Sequence, residues 1–147
     1  MTGRAPSVCF DAQGLDTASK ELGLRTVVLF GSHATLDPPP GPESDVDVAV
    51  SFDPTRERPS LWRVHEALAG AFRDQNLDLV FLADTDPLFR WEIMDRGRLI
   101  WGDEIVHLDD RALAFRLFVD SADLRRLERT LFEKRMAYIR RQLRAPA

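Results

Sequence analysis

The spacing of hydrophobic residues predicts helices and strands that alternate along the chain. Apolar residues three or four positions apart mark one face of a helix, and short runs rich in β-branched residues mark strands. The helices predicted in this way cover residues 15–23, 59–74 and 86–96. The predicted strands cover residues 25–30, 45–52, 77–82 and 98–101.

The C-terminal part of the chain has a helical pattern from about Leu108 onward. Leucines and Tyr138 form an apolar stripe there, with an interruption near residues 119–122. By contrast, residues 1–14 have no clear periodicity, and residues 37–42 are too rich in proline for a helix or a central strand. Both segments are therefore predicted to be irregular.

Strands interleaved with helices predict an α+β or α/β fold in which helices pack on a sheet. At 147 residues, the chain has the length of one domain. We therefore expect a single domain over residues 1–147, with a core at about 15–101 and a C-terminal helical region at about 107–144.

Composition excludes several classes of protein. Hydrophobic residues make up 44% and charged residues 30% of the chain, which is ordinary for a globular protein. No apolar run approaches the ~18 residues that a membrane span needs, and the N-terminus has no apolar signal segment. Cys9, as the only cysteine, has no partner for an internal disulfide. These features predict a cytoplasmic protein.

Charge is distributed unevenly. The residues after Asp123 include eight arginines or lysines and only two glutamates, whereas 22 acidic side chains lie in the residues up to Asp123. An acidic body suits divalent cations and repels nucleic acid, so nucleic-acid binding is not expected. The basic helix is either a docking surface for a partner or a solvated helix face.

Aspartates stand beside apolar strand segments at two places. Asp45 and Asp47 open one predicted strand, and Asp78 opens the next. Residues two apart in a strand share a face, so the carboxylates of Asp45 and Asp47 should repel each other unless a cation lies between them. Magnesium prefers such oxygen ligands. The pattern therefore favours a site for two metal ions, although each aspartate alone is more typical of a solvated strand end.

Gly31 and Ser32 directly follow a predicted buried strand. Glycine lets the backbone approach a ligand closely, and the serine hydroxyl can donate to a phosphate oxygen. A Gly-Ser pair by itself is usually only a turn. The chain has no P-loop, because neither of its lysines follows a glycine in that context.

Gly31-Ser32, Asp45-Val46-Asp47 and Asp78, taken together, resemble the DNA polymerase β-like nucleotidyltransferases, and more narrowly the minimal nucleotidyltransferases. The resemblance covers about residues 20–83 and implies a small mixed sheet with flanking helices. It also implies transfer of NMP, with AMP from ATP as the expected case, to a hydroxyl. Gly31 and Ser32 would bind the nucleotide phosphates. Asp45, Asp47 and Asp78 would bind two Mg²⁺ ions and act in catalysis.

Many minimal nucleotidyltransferases are similar to antitoxins paired with HEPN ribonuclease toxins. The resemblance therefore implies a toxin partner, with a toxin tyrosine as the AMP acceptor. Two alternatives remain open: an antitoxin that acts by binding alone, and a transferase acting on a small molecule such as an aminoglycoside. His33, Leu36 and Pro38-Pro39-Pro40 depart from the usual family pattern, so the sequence leaves open whether the Gly-Ser loop is active.

Overall fold

The computed structural model describes residues 8–37, 39–41, 43–73 and 75–146. The strands are β1 (Leu24–Phe30), β2 (Val46–Phe52), β3 (Leu77–Phe81) and β4 (Arg98–Gly102). The helices are α1 (Ala12–Leu22), α2 (Ser32–Thr35), α3 (Leu61–Ala69), α4 (Pro87–Arg96), α5 (Glu104–Asp120) and α6 (Ala122–Arg144). None of the helices in the described ranges is long and apolar enough to cross a membrane.

The four strands form one open sheet in the order β3-β2-β1-β4. The β2–β3 pair is parallel, and β1 runs antiparallel to both β2 and β4. This is the small mixed sheet with flanking helices that the sequence predicted, so the expected fold class is confirmed. The end of β1 and the starts of β2 and β3 consequently lie at the same edge of the sheet.

Each face of the sheet has its own hydrophobic core. On one face, Val27, Leu29 and Val48 pack with side chains from α1 and α3. On the other face, Val28 and Ala49 pack against α4 and α5. Because side chains alternate along a strand, both faces of β1 and β2 are apolar. This two-sided burial explains why both strands were predicted from nearly continuous apolar runs.

Several predicted helix boundaries differ from the observed ones, and the C-terminal helices begin at Glu104 rather than at about Leu108. Helix α1 begins at Ala12, since the side chain of Asp11 accepts a hydrogen bond from the backbone N–H of Gln13 and caps the helix. The predicted irregular segment 1–14 is therefore helical in its last three residues. Helix α3 ends at Ala69 and is followed by a 3-10 turn at Gly70–Phe72. The last predicted helical residue, 74, is not among the described residues.

The helical C-terminus is divided in two, near the predicted interruption. Ser121 separates α5 from α6, and the guanidinium of Arg125 donates to the carbonyl of Phe118 and to the Ser121 hydroxyl. Helix α5 packs on α4, where Trp91 meets Phe115 and Phe118. Helix α6 has no buried residue. The C-terminal region is thus a packed helix followed by an exposed one.

Candidate active site

The three predicted site aspartates lie together at one edge of the sheet. Asp47 and Asp78 are direct partners in the parallel β2–β3 ladder, and Phe30 at the end of β1 pairs with Asp47 on its other side. Neighbouring partners in a sheet share a face, so the side chains of Asp47 and Asp78 project side by side. Asp45 precedes β2 by one residue and lies close enough to act electrostatically on Asp47.

The carboxylates repel one another. Partial burial raises the pKa of the Asp47 carboxyl above its usual range, and the charges of Asp78 and Asp45 raise it further. His33 acts in the opposite direction on the same carboxyl. Asp45 and Asp78 are exposed, whereas Asp47 is half-buried between them and the backbone of β1. Asp47 is therefore the residue whose charge most needs a cation.

Gly31 is required by the position of Asp47. Its φ is +70°, in the left-handed region, and a Cβ added there would lie 2.2 Å from Oδ2 of Asp47. Any side chain at residue 31 would therefore displace the carboxylate of Asp47. The absence of a side chain at Gly31 thus leaves room for the carboxylate of Asp47.

Ser32 begins α2, a single helical turn that the sequence analysis did not predict as an element. Its first N–H groups have no partner within such a turn. The turn ends at Leu36, where φ is +58° and the N–H donates to the carbonyl of Ser32. Leucine rarely adopts this conformation. The chain therefore forms the turn even though Leu36 occupies a position that favours glycine.

His33 connects the Gly-Ser turn to the chain before Asp45. Its Nε2 lies 3.2 Å from the carbonyl oxygen of Ser44, which is the residue next to Asp45. This contact joins the two ends of the proline-rich segment. Its described residues, 37 and 39–41, belong to no helix or strand, as predicted, and residues 38 and 42 are not described.

An open cleft adjoins Gly31 and Ser32 on the α4 side of the sheet. Its volume is about 430 Å³, and Phe30, Thr35, Glu92 and Arg96 are among its lining residues. Phe30 and Asp47 share a face of the sheet, so the cleft and the carboxylates open toward the same side. Arg96 is the basic residue among the lining residues, beside the acidic Asp37 and Glu92, and its position there was not predicted from the sequence. Arg96 lies far from Gly31 along the chain and within no motif.

A second residue near the site that no sequence motif marks is His65 on helix α3. Its Nε2 lies 2.8 Å from the carbonyl oxygen of Leu77, immediately before Asp78. Helix α3 is thus attached to the start of β3. The contact positions the backbone that carries Asp78, and only the three-dimensional structure brings residues 65 and 77 together.

The donor set is suited to a hard divalent cation. Carboxylate oxygens are what Mg²⁺ prefers, and burial together with the charges of Asp78 and Asp45 raises the pKa of Asp47, so a cation there would be favourable. Within the described ranges, no group of three or more His, Cys, Asp or Glu side chains is already arranged as a metal cage. Magnesium usually takes only one or two carboxylates and completes its shell with waters and substrate phosphates. The residues present therefore fit such an ion.

This combination of a mixed sheet, a Gly-Ser turn and acidic residues on two adjacent strands is the arrangement of a nucleotidyltransferase domain. The family model for "Polymerase beta, Nucleotidyltransferase" matches residues 15–105, which is more than half of the chain. The protein belongs to this family, and the predicted class of enzyme is confirmed at that level. No curated protein has a sequence significantly similar to this one.

Solved structures share this fold. A chain from a toxin–antitoxin crystal structure with AMP-PNP superposes with a TM-score of 0.66 at 20% identity, covering 85% of this chain and 98% of the other. A second match, from Shewanella oneidensis, is a complex of tri-AMPylated HEPN toxin with MNT antitoxin. Its TM-score is 0.60 at 19% identity, and it covers 85% of this chain and 95% of the other. At these identities, the likeness establishes the fold.

Proposed function

We propose that this protein is a magnesium-dependent nucleotidyltransferase that transfers AMP from ATP to a hydroxyl of a protein partner. The observation that carries the proposal is the row of carboxylates at the sheet edge, where Asp47 pairs with Asp78 and packs on Gly31. Such a group of like charges is costly for the fold alone and useful for holding cations.

Asp45, Asp47 and Asp78 would hold two Mg²⁺ ions. When bound, the ions supply charge neutralisation at the attacking and leaving oxygens of a phosphoryl-type displacement. In the reaction, the acceptor oxygen forms a bond to the α-phosphorus of ATP, the bond between the α-phosphorus and the β-phosphate oxygen breaks, and pyrophosphate leaves. Asp78 would accept the acceptor's proton, since it is the more exposed carboxylate of the Asp47–Asp78 pair.

The cleft beside Ser32 would receive the triphosphate. Ser32 would donate to a phosphate oxygen, and Arg96 would add the positive charge that no lysine of this chain supplies there. His33 would contribute positive charge when protonated. These residues bind and orient the nucleotide, so their contribution to the rate is mostly positioning.

The acceptor would be a tyrosine of a cognate HEPN-type ribonuclease toxin, which makes the protein an antitoxin. Two observations support this partner. The fold neighbours include a complex with a tri-AMPylated HEPN toxin, and that neighbour chain is covered over 95% of its length. This chain, in addition, exposes apolar side chains of helix α5, among them Ile105, Leu113 and Phe115, which are available to a partner.

Nucleotide binding is tested first, because it needs no partner. Isothermal titration with AMP-PNP should show binding that requires Mg²⁺ and is lost in the Asp45→Asn/Asp47→Asn double variant. The control is Asp109→Asn, which changes an exposed carboxylate on α5 in the same way. Equal binding by all three proteins, or binding without Mg²⁺, would contradict the assigned site.

Transfer is tested next, with ATP labelled at the α-phosphate and the protein encoded by the adjacent reading frame. We expect label on the partner only when Mg²⁺ and intact carboxylates are present. If the double variant still protects cells from that partner while wild type transfers no label, the protein is a binding antitoxin without catalysis. The departures at His33 and Leu36 are the observations that favour this second function.

A further inference from the structure

Helix α6 carries a wide apolar face that the other described residues leave uncovered. At 3.6 residues per turn, its apolar side chains occupy about half of the helix circumference. The six central residues of this face are Leu124, Leu127, Leu131, Phe132, Met136 and Ile139. No residue of α6 is buried, and Leu143 near its end is 82% exposed. A face this broad needs an occupant from outside the chain.

Three charged residues lie within this face. Glu128 and Arg135 project near its centre, Arg125 lies near one edge, and the other basic residues of α6 lie outside the face. Glu128 and Arg135 are seven residues apart, about 10 Å along the axis, so they are too distant to pair within one helix. In the described part of the chain, neither residue takes part in an ion pair. The occupant should therefore bring a positive group to Glu128 and a negative group to Arg135.

We propose that the occupant is the α6 helix of a second copy of this chain, packed antiparallel about a two-fold axis between Leu131 and Phe132. This register sets Glu128 of each copy against Arg135 of the other. It also sets apolar residues in the same layers near the centre of the face: Leu124 with Ile139, and Leu131 with Phe132. A two-fold interface of this kind is self-complementary, so both ion pairs form at once.

The charge pattern distinguishes this arrangement from a parallel one. In a parallel pair in register, Glu128 would face Glu128 and Arg135 would face Arg135, and both contacts would be repulsive. The face is also extensive. The helix is about 35 Å long, and seven large apolar side chains along it are 38% to 82% exposed.

Sedimentation equilibrium tests the proposal on the full chain. The wild type should have twice the 16.7 kDa mass of one chain. Arg135→Glu and Glu128→Arg should each be monomeric, because each variant places like charges together at both contacts. The matched control is Arg140→Glu, which reverses an exposed charge outside this face and should leave the mass unchanged. Circular dichroism verifies that each variant keeps its helix content.

Mixing the two charge variants separates pairing from a loss of folding. A Glu128→Arg chain and an Arg135→Glu chain restore opposite charges at both contacts, so their equimolar mixture should sediment as a dimer. A monomeric wild type would overturn the proposal, as would a dimer that survives Arg135→Glu or a mixture that stays monomeric. If the α6 face becomes protected only when a different protein is added, that protein is the occupant of the face, and the proposal is overturned.

Discussion

The acidic side chains at the two ends of strand β2 have pKa values shifted in opposite directions. At its start, Asp47 lies beside two other carboxylates, and partial burial together with their charges raises its pKa. Just after its end, Asp53 accepts hydrogen bonds from the backbone and hydroxyl of Thr55, and its pKa is lowered. Near the same end, Asp84 pairs with Arg58, which lowers the pKa of that carboxyl too.

The difference separates carboxylates that the fold itself satisfies from those that it does not. Carboxylates that find donors within the chain have reached their stable state when the chain folds. Those at the start of β2 have mainly one another, so a bound cation would relieve their repulsion further. A carboxylate whose pKa is raised by burial and by neighbouring charges marks a candidate functional site for this reason.

The largest expected effect comes from Asp47→Asn. Neutralising the central carboxylate should reduce AMP transfer roughly 100- to 1000-fold, the range seen when one preorganised electrostatic contact is lost. The same change removes repulsion with Asp45 and Asp78, so the metal-free protein should melt at a slightly higher temperature. Transfer assays and calorimetry measure the two effects, and a loss of both activity and stability would contradict this account of Asp47.

Gly31→Ala should be the next most damaging change. The new Cβ would overlap Oδ2 of Asp47, and the positive φ at residue 31 adds strain, so we expect destabilisation by about 1–3 kcal/mol in urea unfolding. Adding Asp47→Ala to this variant should recover part of the loss, because it removes the overlapping oxygen. Strict additivity of the two changes would show that residues 31 and 47 are not coupled.

Arg58→Ala tests the opposite end of the sheet. The guanidinium of Arg58 lies 4.1 Å from the ring centre of Phe81 and pairs with Asp84. The side chains of Arg58 and Asp84 are both partly exposed. Its loss should lower the free energy of unfolding by about 1 kcal/mol. Mg²⁺-dependent nucleotide binding should be unchanged. Weakened nucleotide binding in this variant would mean that the two ends are linked.

The smallest effect is the pH dependence of stability, which has opposite signs for Asp47 and Asp84. The folded-state pKa of Asp47 is raised, so protonation of this group favours the fold as pH falls through that pKa. The folded-state pKa of Asp84 is lowered, so its stabilising contribution holds at neutral pH and is lost as pH falls through that lower pKa. Carboxyl titration by NMR should order the two groups accordingly, and Mg²⁺ should lower the midpoint of Asp47 while leaving that of Asp84 unchanged.

The sequence predicted the sheet well because its central strands are buried on both faces. The predicted strand at 25–30 differs from β1 by one residue at its start, and the predicted strand at 77–82 includes one residue beyond β3. The gathering of Asp45, Asp47 and Asp78 at one edge also followed from the sequence, since these residues open neighbouring strands. Local pattern and connectivity were enough for those features.

Contacts between distant segments were not predictable in this way. Neither the approach of Gly31 to Asp47 nor the contact of His65 with the Leu77 carbonyl has a local signature. Helix α2 was missed because four residues are too few to show a period. Arg96 reaches the Ser32 cleft only because α4 packs across β1.

The bond between His33 and the Ser44 carbonyl has a consequence for how the linker between β1 and β2 can change. It connects the two ends of the linker next to the strands. Residues can be added near Gly41, which is exposed, at little entropic cost. The length of the linker can therefore vary near Gly41, while the spacing between Gly31 and His33 must stay constant.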